Sequence, residues 1–201
     1  MQDHAHHGAM PHRFEGAERW AGVFEDPARD AWQAPDAVLA LLGLVPDARV
    51  ADLGSATGYF AVRLARRVPR GVVYGIDIEP DMVRYLAERA AREKIPNLKS
   101  VLGAPDDPKL PEAVDVLLVV DTYHHIEERV GYFRRTRDKL RAGGRLVIVD
   151  FKLGQIPVGP PERHRISPAR LDEELTAAGY RRVALDERTL PYQYVAMYQA
   201  R

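Results

Sequence analysis

The stretch 50-VADLGSATGYFAV-62 sets the interpretation of the whole chain. Its apolar run carries an acid at Asp52 and passes into a loop of glycine and other small residues, and an amphipathic segment follows. Glycine adopts backbone conformations that other residues avoid, and without a side chain it lets another group come close to the main chain. The stretch therefore predicts a strand, a sharp turn and a helix, with a ligand lying against the turn.

The same alternation continues to position 151. Helical patterns cover 58–68, 80–94 and 127–141, and the apolar runs that predict strands are ARVADLG (48–54), GVVYGID (71–77), NLKSVLG (97–103), AVDVLLVVD (113–121) and GRLVIVDF (144–151). Strands buried on both faces appear as continuous apolar runs, and strand–helix alternation is typical of parallel βαβ units. We therefore expect an α/β fold, a Rossmann-like doubly wound sheet with helices on both faces.

The remaining elements lie on either side of this region. A short helix is expected to start at Asp36 as its N-cap and to end at Gly43, and another helix covers 168–178. The last two apolar segments, 180–190 and 191–200, are joined by only a few residues around Pro191. A parallel return needs a dozen residues or more, so these segments should form an antiparallel hairpin. Seven strands are then expected, one of them antiparallel near an edge.

The chain of 201 residues fits one folded domain with an N-terminal extension. Residues 36–201 form the predicted domain, and residues 1–35 form an arm that is polar but carries Phe14, Trp20, Phe24 and Trp32. A disordered tail rarely holds so many aromatic residues, so we expect the arm to dock on the domain as a lid. The alternative is a helix that only pads the edge of the sheet.

Charge and composition narrow the class of partner. The 29 basic and 29 acidic residues balance, so no overall field attracts nucleic acid or an anionic membrane. No cysteine is present, which excludes a thiolate nucleophile and a cysteine zinc site. No apolar run approaches the length that spans a bilayer. We expect a cytoplasmic monomer or homodimer that acts on a small molecule, without nucleic acid or membrane as partner.

A second acid, Asp77, follows the glycine loop at a spacing that is typical of a ribose-binding residue. Asp77 ends the second predicted strand, 25 positions after Asp52, where a carboxylate can accept hydrogen bonds from a ribose diol. The same features would suit NAD, but the loop does not have the GxGxxG spacing, and Asp52 would repel a pyrophosphate. An acid at that place suits an ammonium group, so the expected ligand is cationic.

Four stretches in register carry a family resemblance: 50-VADLGSATGYFAVRLA-65, 74-YGIDIEPDMV-83, 114-VDVLLVVDTYHHI-126 and 143-GGRLVIVDF-151. Together they resemble the class I S-adenosylmethionine-dependent methyltransferases, in the broad small-molecule group often called type 11. The resemblance implies a seven-stranded sheet with a reversed last strand and S-adenosylmethionine as cofactor. It also implies methyl transfer to a small-molecule acceptor with release of S-adenosylhomocysteine.

The resemblance also assigns residues to the cofactor. The loop residues that would hold its methionine part are Asp52, Gly54, Ser55, Ala56, Gly58 and Tyr59. Asp77 would bind the ribose, and Ile78 and Met82 would flank the adenine. The family's middle glycine is Ala56 here. The family's acid after the third strand is also missing, which leaves Asp106 as the nearest candidate for the adenine amine. A turn-capping role for Asp106 or Asp107 is the alternative.

The fourth strand ends in 121-DTYHHIEER-129, and the carboxyl ends of such strands face the ligand crevice. Asp121 and Tyr123 are expected close to the sulfonium methyl, with Asp121 also touching the cofactor. His124 is the candidate base for an acceptor that carries a proton, and Tyr123, His124 and His125 are candidate substrate contacts. The alternative for both histidines is a structural hydrogen bond at the start of the next helix.

Two further histidine sites remain open. His164 lies in the loop 154-GQIPVGPPERHRISP-168, which should overhang the crevice, and is a candidate substrate contact in a basic rim. A solvated run of charge is the alternative. The N-terminal histidines, His4, His6, His7 and His12, are interpreted as a tag-like or natural flexible tail, so no metal site is expected. Metal chelation by these imidazoles is the alternative.

Two other functions compete with methyl transfer. A chain that binds S-adenosylmethionine without catalysis would carry the same loop, since a fold does not determine a function. A nicotinamide-dependent oxidoreductase would share the strand, turn and helix.

Overall fold

A computed structural model describes residues 16–201. Phe14 and the histidines at 4, 6, 7 and 12 lie outside the described residues. The helices are α1 (Ala17–Phe24), α2 (Asp30–Gln33), α3 (Pro35–Leu42), α4 (Tyr59–Arg67), α5 (Pro80–Arg92), α6 (Arg129–Thr136) and α7 (Pro168–Ala177). The strands are β1 (Arg49–Leu53), β2 (Val72–Asp77), β3 (Leu98–Leu102), β4 (Val114–Val120), β5 (Leu140–Phe151), β6 (Tyr180–Asp186) and β7 (Gln193–Ala200).

The strands form one seven-stranded sheet in the order β3-β2-β1-β4-β5-β7-β6. The pairs among β1 to β5 are parallel, and β7 runs antiparallel between β5 and β6. The predicted hairpin and the antiparallel strand near an edge are thereby confirmed. Strand order reverses between β1 and β4, and the carboxyl ends of β1, β2, β4 and β5 meet along one edge there. No helix among residues 16–201 has the length and apolar character needed to cross a membrane.

Two apolar cores lie on the two faces of the sheet. Val50 packs into the core beneath α3, α4 and α5, whereas its neighbour Ala51 belongs to the core beneath α6 and α7. Successive strand residues point to opposite faces, so strands that are apolar throughout fill both cores. The predicted doubly wound architecture with helices on both faces is confirmed.

Two predicted boundaries are wrong. Asp36 lies in the first turn of α3 rather than at its N-cap, because Pro35 is the first helical residue and Ala34 is the N-cap with φ 41°. Proline suits that first position, since it has no amide hydrogen to leave unpaired. The helix over 127–141 is also shorter than predicted. α6 ends at Thr136, a 3-10 turn follows, and β5 begins at Leu140.

The arm lies along α5 and α4 from Gly16 onward. Within α1, Trp20 stacks on Phe24 with ring centroids 5.5 Å apart, so the two aromatics share one helical face. Ion pairs join α1 and the residue after it to α5: Glu18 with Arg84 at 2.6 Å and Glu25 with Arg89 at 3.0 Å. These contacts bring residues 27–34 to the carboxyl edge of the sheet.

Close backbone contact at the turn into β2 generates a stability prediction. A Cβ on Gly71 would overlap the carbonyl of Ala48, whereas one on Gly22 in α1 meets nothing within 4 Å. We expect Gly71→Ala to destabilise the fold by about 1–3 kcal/mol through overpacking. Gly22→Ala should instead stabilise α1 by about 0.5–1 kcal/mol, because alanine loses less backbone entropy. Urea unfolding of both variants checks this, and equal stabilities would contradict it.

Candidate functional site

Four aspartates occupy the carboxyl ends of four adjacent strands. In sheet order they are Asp77 on β2, Asp52 on β1, Asp121 directly after β4 and Asp150 on β5. Asp52 and Asp150 are buried, and Asp77 and Asp121 are partly buried. Carboxylates are costly to bury without compensating partners, so each partner at this edge is informative about the site.

The loop between β1 and α4 is shaped by packing as well as by the absence of side chains. Gly54 and Gly58 have φ of 77° and 96°, which favours glycine. A Cβ at Gly54 would overlap the side chain of Thr122, and one at Gly58 would overlap Leu86. The two glycines therefore also admit neighbouring protein atoms, and their predicted contact with a ligand stays a prediction. Ala56 also has a positive φ, 45°, so an alanine occupies a conformation that suits glycine.

Asp77 holds this loop in place. One carboxylate oxygen accepts the Ala56 amide at 2.9 Å and the other accepts the Glu79 amide at 3.0 Å. Burial raises the pKa of Asp77, while these amide hydrogen bonds oppose the shift. Each carboxylate oxygen has more than one lone pair, so both oxygens of Asp77 can accept further hydrogen bonds.

Beside Asp77 the sheet edge presents apolar surface. Ile78 is 52% exposed, and Leu102, which pairs with Asp77 across β2 and β3, is 50% exposed. Met82 is 1% exposed within the core, so the structure does not place it at the predicted adenine surface. Leu102 was missed by sequence reasoning, although its position at the end of the neighbouring predicted strand was a usable signal.

The two candidate acids in the loop after β3, Asp106 and Asp107, have different environments. Asp106 is exposed, and its backbone carbonyl accepts a hydrogen bond from Arg135. Asp107 accepts the Lys109 amide at 2.8 Å and pairs with the Lys109 ammonium at 3.1 Å. The turn-capping role therefore belongs to Asp107.

Arg29 from the arm compensates two of the four aspartates. Burial raises the pKa of Asp52 to about 7, and the nearby Arg29 opposes that shift. Burial also raises the pKa of Asp121 to about 7, again opposed by Arg29, whose Nη2 lies 3.2 Å from Asp121 Oδ2. The guanidinium is thus the cation that serves both acids in this structure.

Two buried glutamines complete the surroundings of Asp121. Arg29 Nη2 donates to Gln33 Oε1 at 3.0 Å, and Gln33 Nε2 donates to Gln193 Oε1 at 2.6 Å. Gln193 Nε2 donates in turn to Asp121 Oδ1. We call these four side chains the Asp121 ring. Sequence reasoning missed Arg29, Gln33 and Gln193, because they are brought together from distant parts of the chain.

His124 forms a buried pair with Asp150. Its Nδ1 lies 3.0 Å and 3.1 Å from the two carboxylate oxygens of Asp150, and the His124 side chain is 4% exposed. Burial lowers the pKa of His124, but the charge and hydrogen bond of Asp150, with a smaller contribution from Asp121, raise it above its ordinary value overall. A carboxylate on Nδ1 leaves Nε2 as the nitrogen available for proton transfer.

Tyr123 does not lie in the crevice. Its side chain is fully buried in the core beneath α6 and α7, stacked on Phe133 with centroids 5.2 Å apart. Its hydroxyl donates to Glu174 at 2.8 Å, and Glu174 is also ion-paired with Arg129 at 2.6 Å. The expectation that Tyr123 touches the methyl group or the acceptor is corrected, because its side chain is fully buried in the core beneath α6 and α7.

Aromatic contacts extend the site beyond His124. The His125 ring lies tilted against the His124 ring with centroids 4.2 Å apart, and Phe151 meets His124 edge-on at 6.4 Å. Trp32 of the arm lies 6.0 Å from the same Phe151 ring. The long loop after β5 packs here too, since a Cβ on Gly159 would overlap Phe151.

The basic rim of that loop is partly structural. Arg165 donates to the carbonyls of Pro160 at 2.7 Å, Lys152 at 3.2 Å and Gly154 at 2.7 Å, so it shapes the loop. His164 ends a 3-10 turn and is partly exposed. Its predicted contact with an acceptor stays a prediction.

Tyr59 anchors the arm. Its hydroxyl donates to Asp30, and the guanidinium carbons of Arg29 and Arg63 each lie 4.1 Å from its ring centroid. The side chain is thereby committed to residues 29 and 30 of the arm. Its predicted contact with the cofactor would have to share a ring already covered by two arginines.

Comparison with known proteins gives the family. A family model for a methyltransferase domain matches residues 44–184, which is more than half of the chain. The chain belongs to the methyltransferase domain family. The predicted class, the class I S-adenosylmethionine-dependent methyltransferases, and the cofactor of that class are confirmed at the level of the family. The nicotinamide-dependent alternative is set aside.

Individual relatives are more distant. The chain is 29% identical over 131 residues to aklanonic acid methyltransferase DauC of Streptomyces sp. (strain C5), covering 63% of this chain and 60% of that protein. It is 30% identical over 153 residues to trans-aconitate 2-methyltransferase of Deinococcus radiodurans, covering 75% of this chain and 55% of that protein. The chain thus spans somewhat more than half the length of these two relatives.

Solved structures agree on the fold. An S-adenosylmethionine-dependent methyltransferase from Aquifex aeolicus superposes with a TM-score of 0.82 at 24% identity, covering 91% of this chain and 97% of that one. Magnesium protoporphyrin IX methyltransferase of Synechocystis, solved with bound S-adenosylhomocysteine, gives a TM-score of 0.70 at 18% identity, with 92% and 93% covered.

The buried histidine pair predicts a measurable titration. We expect Asp150→Asn to bring the pKa of His124 below its ordinary 6.5, because burial then acts with less opposition. Histidine proton NMR, with His124→Gln to assign the resonance, measures the shift. Asp138→Asn, at a side chain 83% exposed, is the control and should leave the titration unchanged. An unaltered His124 pKa in Asp150→Asn would contradict the pairing.

Proposed function

We propose that this chain binds S-adenosylmethionine at the carboxyl ends of β1, β2 and β4 and transfers its methyl group to a small-molecule acceptor. The observation that carries the proposal is the line of four aspartates across the strand-order reversal, of which the two central ones, Asp52 and Asp121, lie near one guanidinium from the arm. Such a line suits a ligand that brings positive charge, as the sulfonium and ammonium groups of S-adenosylmethionine do.

The surrounding residues fit that ligand. Ser55 Oγ and Thr57 Oγ1 are buried and have no hydrogen-bond partner among residues 16–201, so the loop keeps unused polar groups. Asp77 retains acceptor capacity for a ribose, and Ile78 and Leu102 offer apolar surface for an adenine. Asp52 would face the ammonium group. When bound, the cofactor supplies an electrophilic methyl group that needs no further activation.

The protein's part in the transfer is then to position the acceptor, exclude water and remove a proton. We assign the removal of this proton to Nε2 of His124, which accepts it from the acceptor. Asp150 bonds to Nδ1 and so holds the neutral imidazole with its own N–H on Nδ1. This assignment favours an acceptor with an ionisable O–H or N–H group. The relatives named for aklanonic acid and trans-aconitate are methyltransferases of small molecules, which supports an acceptor of that size.

The arm is proposed as the lid of this site, as the sequence suggested. Its Trp32 lies against Phe151, and Arg29 lies beside Asp121. His124 is only 7% exposed with the arm in this position, so an acceptor reaches it when the arm opens.

Cofactor binding should depend on pH. The carboxyls of Asp52 and Asp121, with pKa values raised to about 7, lose their protons when a cation binds. We therefore expect affinity for S-adenosylmethionine to rise from pH 5.5 to 8, by at most about tenfold per pH unit for each proton released. Calorimetry in two buffers of different ionisation enthalpy measures the release.

The Asp52→Asn variant should bind more weakly at pH 8 and show a flatter pH dependence, because one titrating carboxyl is gone. Asp138→Asn is again the exposed control. An affinity that stays constant from pH 5.5 to 8 would contradict the role of these acids in binding the cation.

Turnover tests catalysis directly. Incubation with S-adenosylmethionine and a panel of phenols, carboxylic acids and amines should release S-adenosylhomocysteine, detected by mass spectrometry. We expect His124→Gln to lower kcat about 100-fold or more while cofactor affinity is kept, as for loss of a general base. Cofactor binding without product from any acceptor would instead favour the non-catalytic binding protein.

A further inference from the structure

The Asp121 ring joins three separate parts of the chain. Arg29 and Gln33 come from the arm, Asp121 follows β4, and Gln193 opens β7. Gln33 and Gln193 are fully buried. The contact between their side chains spans 160 positions of sequence. Buried amides at this distance in sequence are kept in place by their hydrogen bonds, because an unpaired one would be costly.

The hydrogen bonds of the Asp121 ring all run in one direction, from donor to acceptor. Donors run from Arg29 to Gln33, from Gln33 to Gln193, and from Gln193 to Asp121. The ion pair between Asp121 and Arg29 closes the circuit. Turning either amide over would set donor against donor or acceptor against acceptor. Each hydrogen bond therefore depends on the others, and hydrogen bonds in such networks strengthen one another.

Asp121 needs this support. Its φ is 54°, in the left-handed region that non-glycine residues seldom adopt. Strained backbone of this kind persists where the surroundings fix it, and it is found mainly at functional sites. Both carboxylate oxygens of Asp121 are engaged, one by Gln193 and the other by Arg29.

We propose that Gln33 and Gln193 are positioning residues that act as one unit, fixing the carboxylate of Asp121 and holding the arm over it. The part that concerns ligand binding rests on the proposed function, in which Asp121 faces the cationic cofactor. Closure of the arm and fixing of the Asp121 carboxylate then occur together. Loss of either glutamine should free the arm and reduce cofactor affinity to the same extent.

The test uses Gln33→Met, Gln193→Met and the double variant, since methionine keeps the volume and removes the amide. The control is Gln199→Met, on the same strand β7 but bonded to Arg181 at an exposed site. Hydrogen exchange of residues 29–34 is measured first, without ligand. We expect each single variant to speed exchange about tenfold, as for loss of a buried hydrogen bond. The double variant should add no more than about twofold to either.

S-adenosylmethionine binding is then measured by calorimetry as a function of pH. The charged groups around Asp121 are Arg29 from the arm, His124 from the 3-10 turn and Asp150 from β5. Gln193 donates to the ionised form of Asp121, so its loss should move the pH midpoint of binding upward. The same upward shift is expected for Gln33→Met, whereas a purely structural role would leave the midpoint unchanged.

Three results would overturn the proposal: unchanged exchange in the single variants, exchange effects that multiply in the double variant, or an unmoved pH midpoint. If Gln193→Met does not fold, Gln33→Met decides alone, because Gln33 lies in the arm outside the sheet. A wild-type protein that fails to bind S-adenosylmethionine would refute the proposed function, and the exchange result would still decide whether the ring is one unit.

Discussion

Burying carboxylates along one edge of a parallel sheet is the constraint on which the rest of this structure depends. Three kinds of partner compensate the four aspartates at the ends of β2, β1, β4 and β5. Backbone amides of the glycine loop serve Asp77, and His124 serves Asp150. Arg29 serves the two in between. The pKa values of the two central carboxyls, Asp52 and Asp121, are raised to about 7, so an approaching cation changes their protonation near neutral pH.

The arm follows from the same constraint. Its cation is needed at the sheet edge, and Tyr59, Asp30 and Arg63 hold it there. In the arrangement we propose, the closed arm holds Asp121 in place for the cationic cofactor, and opening of the arm admits the acceptor. Trp32 and Phe151 extend the covered surface toward His124, so opening would expose the proposed acceptor side as well.

The fold was largely predictable because its signals are local. Apolar runs, helical periodicity and the short connection around Pro191 specify strand type and pairing within a few residues. The positions of Asp52 and Asp77 at the ends of β1 and β2 followed from the apolar runs in the same way. The Asp121 ring was not predictable, since Gln33 and Gln193 carry no periodic or motif signal and meet only through the final packing. Tyr123 was misplaced because side chains alternate in direction after a strand, and its spacing alone does not tell the crevice from the core.

The family is established, and we propose that the aspartate line binds the sulfonium cofactor in this chain. A crystal structure with S-adenosylhomocysteine tests that connection most directly. We expect the ligand at the carboxyl ends of β1, β2 and β4, with its ribose hydroxyls within hydrogen-bonding distance of Asp77 and its ammonium group facing Asp52. A ligand bound elsewhere on the protein, or a glycine loop left empty at saturating concentration, would contradict it.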